Sequence, residues 1–273
     1  MIDYEDWHRN LLCAIQKPGK GKDYSSPDSW RGICLAEIPA KIQSSIISTR
    51  LLNHLETVGI ETQYGCVPGK GCADALFSIK TALQTRKQHG KDTWAAFIDL
   101  VKAFDTADHE LLFLILKKYG VPETLVSVIA KMYKDAVVIL KVGEESREVP
   151  YEVGVKQGDN MAPVLFIYLM NAFAETLAKK WNFDKLDFNW FPEKLNGNKN
   201  GRLTGQSPKA KGTLFDLFYF LYVDDGAMFF ESREDLIEGT RLIMEHFGRF
   251  GLEMHIGRGG NDQKRNVFTS QHS

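Results

Sequence analysis

The chain has 273 residues, 44% hydrophobic and 25% charged, which is an ordinary globular composition and suits one large domain or two subdomains sharing a core. A formal charge of −1 excludes a chain that holds nucleic acid through global basicity, so any such binding must use local patches. The longest apolar run, Val164–Met170, is too short to span a bilayer, the acidic start (Asp3, Glu5, Asp6) does not read as a secretory signal, and Cys13, Cys34, Cys66 and Cys72 form no C-x-x-C pair, so an intracellular protein with reduced thiols is expected.

Met1–Ile15 reads as a short mixed segment of helical character. Lys17–Lys22 is a basic Gly-rich turn that can touch phosphate or simply be solvated. Trp30–Ile38 is a strand candidate. Pro39 then opens a helix, Ala40–Val58, with Ile42, Ile46, Ile47, Leu51, Leu52 and Leu55 on one face and Gly59 as its stop. Gln63–Cys72 is a second Gly-rich basic loop feeding a helix over Ala73–Gln88 with Leu76, Ile79 and Leu83 inward. Backbone N–H groups at such a helix start can hold phosphate, although the spacing is not that of a Walker A loop.

Thr93–Leu100 is an apolar strand with Asp99 at its end. A helix follows from about Asp108 to Tyr119, capped by Asp105 or Asp108, and then a helix Glu123–Lys134 with Leu125, Val128, Ile129 and Met132 in step. Ala136–Val142 and Arg147–Val153 form a hairpin across Gly143–Ser146. Gly154–Asn160 is a flexible loop, and Pro163 starts a long apolar helix to about Lys180. Trp181–Gly212 is polar and reads as a surface insertion. Glu234–Phe250 is an amphipathic helix and Gly251–Ile256 a short strand. Helices and antiparallel strands without regular βα alternation give an α+β class.

Between the insertion and the last helix lies Phe218–Phe230, which reads as strand, two-residue turn, strand, with Asp224 and Asp225 at the tip of arms too apolar to be exposed. Adjacent carboxylates repel, and each costs free energy when desolvated. A divalent cation removes both penalties. If the strand ending in Asp99 neighbours this hairpin, three carboxylates converge, with Lys102 the only base close by in sequence. Hard oxygen donors of that number suit Mg²⁺, and a pair of such ions about 3.5–4 Å apart serves phosphoryl or nucleotidyl transfer. The bland readings are an Asp-Asp-Gly turn and a capping role for Asp99.

These stretches resemble, in the family's order, the reverse transcriptase domain of non-LTR retrotransposons and, more distantly, of group II introns. Phe97–Asp105 resembles the first palm motif. Gly154–Asp159 with Pro163 and Leu165-Phe166 resembles the second, Tyr222-Val-Asp-Asp225 the third, and Phe250–Met254 with Lys264 the fourth. Ile15–Lys20, Trp30–Ile33 and Gln63–Lys70 resemble the fingers blocks. The resemblance implies a right-hand polymerase with fingers (1–92, with part of 121–160) and a palm (93–273) whose antiparallel sheet packs on helices. It makes Asp99 and Asp224 the main ligands of two Mg²⁺ ions, Mn²⁺ being the alternative, with Asp225 taking a lesser share. Phe104 falls at the steric gate against a 2′-hydroxyl. Gln157 and Gly158 would meet the incoming nucleotide, Lys102 and Ala103 would offer backbone N–H groups to its triphosphate, and Arg31 and Lys41 would pair with its charge. Lys264 is the candidate proton donor to pyrophosphate. Partners are an RNA template, a DNA primer and dNTPs, with no membrane. A primer 3′-hydroxyl would attack the α-phosphorus, and template sequence would be read by base pairing.

The chain departs from the pattern at Gly32, where Pro is usual after the fingers Arg, at Ala162, where Ser usually precedes the Pro, and in the looser Asp262–Arg265. It ends at Ser273 with the thumb expected to be absent, so weak, distributive synthesis is expected. The rival readings are a catalytically dead element remnant that only binds nucleic acid, and an RNA-dependent RNA polymerase or other palm nucleotidyltransferase.

Overall fold

Arg9–Gln16 is a strand, β1, where helical character was expected. The weak local signal is overridden by pairing on both sides. β1 runs antiparallel to β2 (Trp30–Leu35) in the register Cys13↔Ile33, and parallel to β4 (Val137–Val142) in the register Leu11↔Ile139. β5 (Glu145–Pro150) closes this sheet in the order β2-β1-β4-β5. The β4–β5 loop is Gly143-Glu144, shorter than the four residues expected. Val142 pairs directly with Glu145, because Gly143 adopts φ +62° and lets two residues make the reversal.

The computed structural model describes residues 8–19, 23–88, 90–180, 219–255 and 267–270. The expected insertion at 181–212 and the Gly257–Gly260 stretch lie outside these. Contacts divide the chain into two units, each assembled from separate stretches: Met1–Glu61, Leu100–Glu175 and Phe247–Glu253 form the first, and Thr62–Asp99, Thr176–His246 and Met254–Ser273 the second.

In the first unit, the β2-β1-β4-β5 sheet is accompanied by α1 (Ile38–Val58), the short α3 (Ala103–Thr106), α4 (His109–Lys118), α5 (Glu123–Tyr133) and most of α6 (Ala162–Lys180). Asp108 caps α4 by accepting the Leu111 N–H at 2.7 Å. The first half of α6 buries Val164 through Met170 without a break, so that half is apolar all round and forms core, while Glu175, Lys179 and Lys180 further along are exposed. The inward face of α1 is rotated from the one expected: Ile47, Leu51 and Leu55 are buried as expected, but Ile42 and Ile46 are exposed and Ala40, Ser44 and Ser48 are buried with the others. The buried serines have partners, Ser44 donating to the Asp159 carboxylate and Ser48 to the Asn160 carbonyl.

The second unit is built on a sheet of order β6-β7-β3-β8, with β3 at Thr93–Ile98, β6 at Tyr219–Tyr222, β7 at Asp225–Phe230 and β8 at Val267–Ser270. β8 is a further strand, antiparallel to β3 and pairing Thr269 with Trp94, while in the described part of the expected strand, 251–255, only Met254 is a bridge residue. α2 (Cys72–Gln88) covers one face, with Ile79 and Leu83 against a cluster of Ala95, Phe220, Ala227 and Phe229. Leu76, expected inward, is exposed, and Ala75, Ala82 and Arg86 join Ile79 and Leu83 in the inward stripe. α7 (Arg233–Arg249) begins at Ser232, whose hydroxyl accepts the Asp235 N–H and donates to the Asp235 carboxylate.

Candidate active site

The register of the second sheet decides where the carboxylates fall. β3 pairs antiparallel with β7, and its last pair is Ile98↔Gly226. Asp99 directly follows Ile98, and Asp225 directly precedes Gly226, so both carboxylates leave the same end of the ladder. The β6–β7 hairpin closes on the pair Tyr222↔Asp225, so its two-residue loop is Val223-Asp224 rather than the aspartate pair. Asp225 is therefore the first residue of β7. Asp99 and Asp224 are half-buried and Asp225 is exposed.

Val223 takes φ +59°, an outlier for a β-branched residue that costs about 1–3 kcal/mol. Gln63 holds it there. This side chain is 1% exposed, and its Oε1 accepts the N–H groups of both Val223 and Gly65 at 2.9 Å. The neighbouring backbone continues the clamp: Leu221 donates to the Thr62 carbonyl and Tyr64 donates to the Leu221 carbonyl, each at 2.9 Å. Thr62–Tyr64 thus covers the outer edge of β6. Gly65 lies so close that a Cβ there would sit 2.6 Å from the Val223 nitrogen.

The Gln63–Cys72 loop consequently serves the hairpin. The backbone donors expected to face phosphate are in part occupied, since Gly71 donates to the Asp74 carboxylate at 2.8 Å. Lys70 sits 5.4 Å above the Tyr64 ring, with its ammonium donating to the Gln63 carbonyl. The Cys66 thiol is pushed up by partial desolvation and then by the negative charge of Asp224, which places the two in one electrostatic neighbourhood. Sequence reasoning gave Gln63 and Gly65 no part in the hairpin. Their signal was available as a Gln-x-Gly ahead of a helix, but its target lies 160 residues on.

Among the described residues no group of three or more His, Cys, Asp or Glu side chains is arranged as a metal cage. Mg²⁺ does not require one: it binds through one or two carboxylates, keeps several waters and takes substrate phosphate oxygens. Two half-buried carboxylates with a third beside them are a donor set that fits that mode.

The first unit carries the other expected site residues. Phe104 is half-buried and stacks on Phe166, with ring centroids 5.0 Å apart. Its carbonyl accepts the Val155 N–H at 2.6 Å, and Gly154 donates to the Ala107 carbonyl at 2.8 Å. Gly154 has φ +90°, and a Cβ on it would meet the Phe104 and Asp105 carbonyl oxygens at 2.8 Å. The Gly-rich loop is thereby seated on the turn that carries Phe104. The same loop meets β2, where Gln157 accepts the Cys34 N–H at 2.7 Å and a Cβ on Gly158 (φ +105°) would lie 2.8 Å from Ile33.

Arg31, on β2, is exposed, and Lys41 is half-buried in the first turn of α1. Lys102 adopts a left-handed φ of +49° ahead of α3, and its ammonium is 3.1 Å from the Asp28 carboxylate in an exposed pair that contributes little to stability. Ala103, the first residue of α3, is buried. Desolvation pushes the Asp105 carboxyl up, with Lys102 and Lys17 partly offsetting it. Lys264 lies outside the described residues.

Residues 15–257 match the family described as Reverse transcriptase (RNA-dependent DNA polymerase). A Retrovirus-related Pol polyprotein from the type-2 retrotransposable element R2DM of Drosophila melanogaster is 30% identical over 152 residues, 55% of this chain and 14% of that protein. A Pol polyprotein from the type-1 element R2 of Nasonia vitripennis is 24% identical over 231 residues, 84% of this chain and 20% of that one. The chain therefore spans only a small part of the length of these curated relatives. Among solved structures, a Candida tropicalis apo telomerase truncated from its C-terminal domain superposes with a TM-score of 0.61 at 12% identity, covering 99% of this chain and 51% of that one, which is a likeness of fold. The motifs, in their order along the chain, and a family match reaching over nearly its whole length agree: the chain belongs to the reverse transcriptase family.

Proposed function

We propose that this chain is the polymerising part of an RNA-directed DNA polymerase and adds dNTPs to a primer 3′-hydroxyl on an RNA template. The observation that carries the reading is the β3–β7 register, whose last pair Ile98↔Gly226 brings the ends carrying Asp99 and Asp225 together next to the loop with Asp224, in a chain of this family. Asp99 and Asp224 would hold Mg²⁺, with Asp225 contributing less; the ions would lower the charge on the reacting phosphate and favour the ionised hydroxyl. Residues 1–92, with part of 121–160, would act as fingers and 93–273 as palm. Phe104 would lie under the deoxyribose. Gln157 and Gly158 would face the nucleotide, Lys102 and Ala103 would offer backbone N–H groups to its triphosphate, and Arg31 and Lys41 would balance its charge. Lys264 would donate a proton to the leaving pyrophosphate.

Primer extension on an RNA template with Mg²⁺ and dNTPs tests this. The 273-residue chain is expected to extend the primer, and Asp224→Asn and Asp99→Asn to lose at least a hundredfold of that rate. No incorporation by the parent, or a parent indistinguishable from Asp224→Asn, would point instead to a remnant that binds nucleic acid without polymerising.

A further inference from the structure

We infer that Gln63 is a positioning residue for the metal-binding loop, acting through the backbone of Val223. The inference rests on the reading of Asp224 as a metal ligand and adds a residue that the carboxylate chemistry does not include. Three observations carry it. First, the loop that presents Asp224 has only two residues, and the one before Asp224 is a valine at φ +59°, a conformation that a β-branched side chain does not adopt unaided. Second, the Val223 N–H points at Gln63 Oε1, 2.9 Å away, and the same oxygen takes the Gly65 N–H at 2.9 Å, so one buried acceptor ties the loop to Thr62–Gly65. Third, Gln63 is 1% exposed and its Nε2 has no hydrogen-bond partner among the described residues. Keeping an amide there leaves a buried donor unsatisfied, which packing alone does not justify and an apolar side chain would avoid.

The consequence is geometric. If the Val223 N–H lost its acceptor, the loop would relax toward negative φ at Val223, and the direction in which Asp224 leaves the hairpin would change with it. Asp99, which directly follows the last β3–β7 pair, and Asp225, which starts β7 and pairs with Tyr222, would stay in place. Metal affinity would fall through misalignment of one ligand, with the ligand set intact.

The test is a cycle of Gln63→Met, Val223→Gly and the double variant, read by Mn²⁺ titration followed by electron paramagnetic resonance and by thermal unfolding, with Asp224→Asn as reference. Glycine adopts positive φ without help, so it removes the need for the acceptor. Gln63→Met is expected to weaken Mn²⁺ binding at least threefold, and the double variant to bind within twofold of Val223→Gly. The fall in Tm caused by Gln63→Met should shrink by at least half in the Val223→Gly background. Unchanged Mn²⁺ binding in Gln63→Met while Asp224→Asn loses it would overturn the inference, as would equal falls in Tm in both backgrounds. If Asp224→Asn binds Mn²⁺ as the parent does, it is the metal reading that fails, and the thermal cycle still decides whether Gln63 holds Val223. Should Gln63→Met alone not fold, the double variant decides: the inference expects it to fold, and an unfolded double variant refutes it.

Discussion

Gly65 and Val223 approach so closely that a Cβ on Gly65 would lie 2.6 Å from both the backbone nitrogen and Cγ2 of Val223. Neither neighbour can yield cheaply, because the nitrogen is pinned by Gln63 and the methyl group belongs to a buried side chain. Gly65→Ala is therefore expected to destabilise the protein by about 1–3 kcal/mol, as overpacking does, with Tm falling about 2–4 °C per kcal/mol. Gly248→Ala is the control: this glycine lies within α7 with nothing inside 4 Å of its Cβ position, so alanine should raise stability by up to about 1 kcal/mol. Urea titrations of both variants check the pair, and a Gly65→Ala protein as stable as the parent would mean that the hairpin tip is looser than its contacts indicate.

Much of this arrangement could be read in advance, and the misreadings have identifiable causes. The hairpin was legible because apolar arms bracket a polar pair. Its turn was read one residue late because Asp-Gly is itself a strong turn signal, whereas the strained position falls on Val223, which local preference disfavours and a residue 160 positions away secures. The strand β1 was missed because its stability comes from partners on both sides. The inward face of α1 is right at Ile47, Leu51 and Leu55 but wrong at Ile42 and Ile46, which face out, because Ser44 and Ser48 are buried through hydrogen bonds to Asp159 and Asn160. Hydrophobic periodicity sees neither cause. A carboxylate at the end of an apolar strand stands out locally, as Asp99 and Asp224 do, whereas a glutamine in a polar loop such as Gln63 does not.

Arg86 is 2% exposed and ties α2 to the β3–β7 end of the sheet. Its guanidinium donates to Thr93 Oγ1 at 2.8 Å, to the Asp92 carbonyl at 2.7 Å and to Glu231 Oε1 at 3.1 Å. Replacing it by methionine keeps the aliphatic stem and leaves the buried Thr93 hydroxyl short of a partner. Arg86→Met should cost about 2–4 kcal/mol. Glu231→Gln should cost less, since that side chain is partly solvated and its amide oxygen still accepts. Chemical denaturation of the two variants distinguishes them; equal costs would show that the ion pair, and not the buried hydroxyl and carbonyl, dominates.

Lys156 gives the fold a dependence on alkaline pH. Its ammonium is buried, donates to the Met132 carbonyl at 3.1 Å and lies 5.2 Å over the Tyr133 ring. Desolvation pushes its pKa below the usual 10.5, with Asp159 and Cys34 partly offsetting that. A lysine depressed in the folded state binds fewer protons there than in the unfolded chain, so stability rises with pH between the depressed value and about 10.5. Tyr133, Tyr151 and Tyr168, all pushed up by burial, act in the opposite sense above about pH 10, where only the unfolded chain ionises them. Comparing the parent with Lys156→Met isolates the lysine: from neutral pH towards about 10, the parent should gain stability relative to the variant. Parallel urea midpoints across that window would show that Lys156 titrates alike folded and unfolded.

Phe104 offers the sharpest test of substrate choice within the proposed function. The ring is stacked on one side against Phe166 at 5.0 Å, and the turn that carries it is fixed by the Val155 N–H on the Phe104 carbonyl, so it cannot swing away without losing the stacking. A ring so fixed under a sugar would exclude a 2′-hydroxyl by volume, and a smaller side chain would leave space for it. Phe104→Val is expected to lower the preference for dNTPs over rNTPs by at least tenfold in kcat/KM, mostly through better use of rNTPs, while costing about 1–3 kcal/mol of stability from the lost stacking and volume. Gly154→Ala should act on the same ring indirectly, because its Cβ would push against the Phe104 and Asp105 carbonyls at φ +90°, and it should depress dNTP use without admitting rNTPs. Single-nucleotide incorporation with matched dNTP and rNTP pairs separates the two. An unchanged sugar preference in Phe104→Val, with dNTP use retained, would remove Phe104 from the gate and leave it as a core aromatic paired with Phe166.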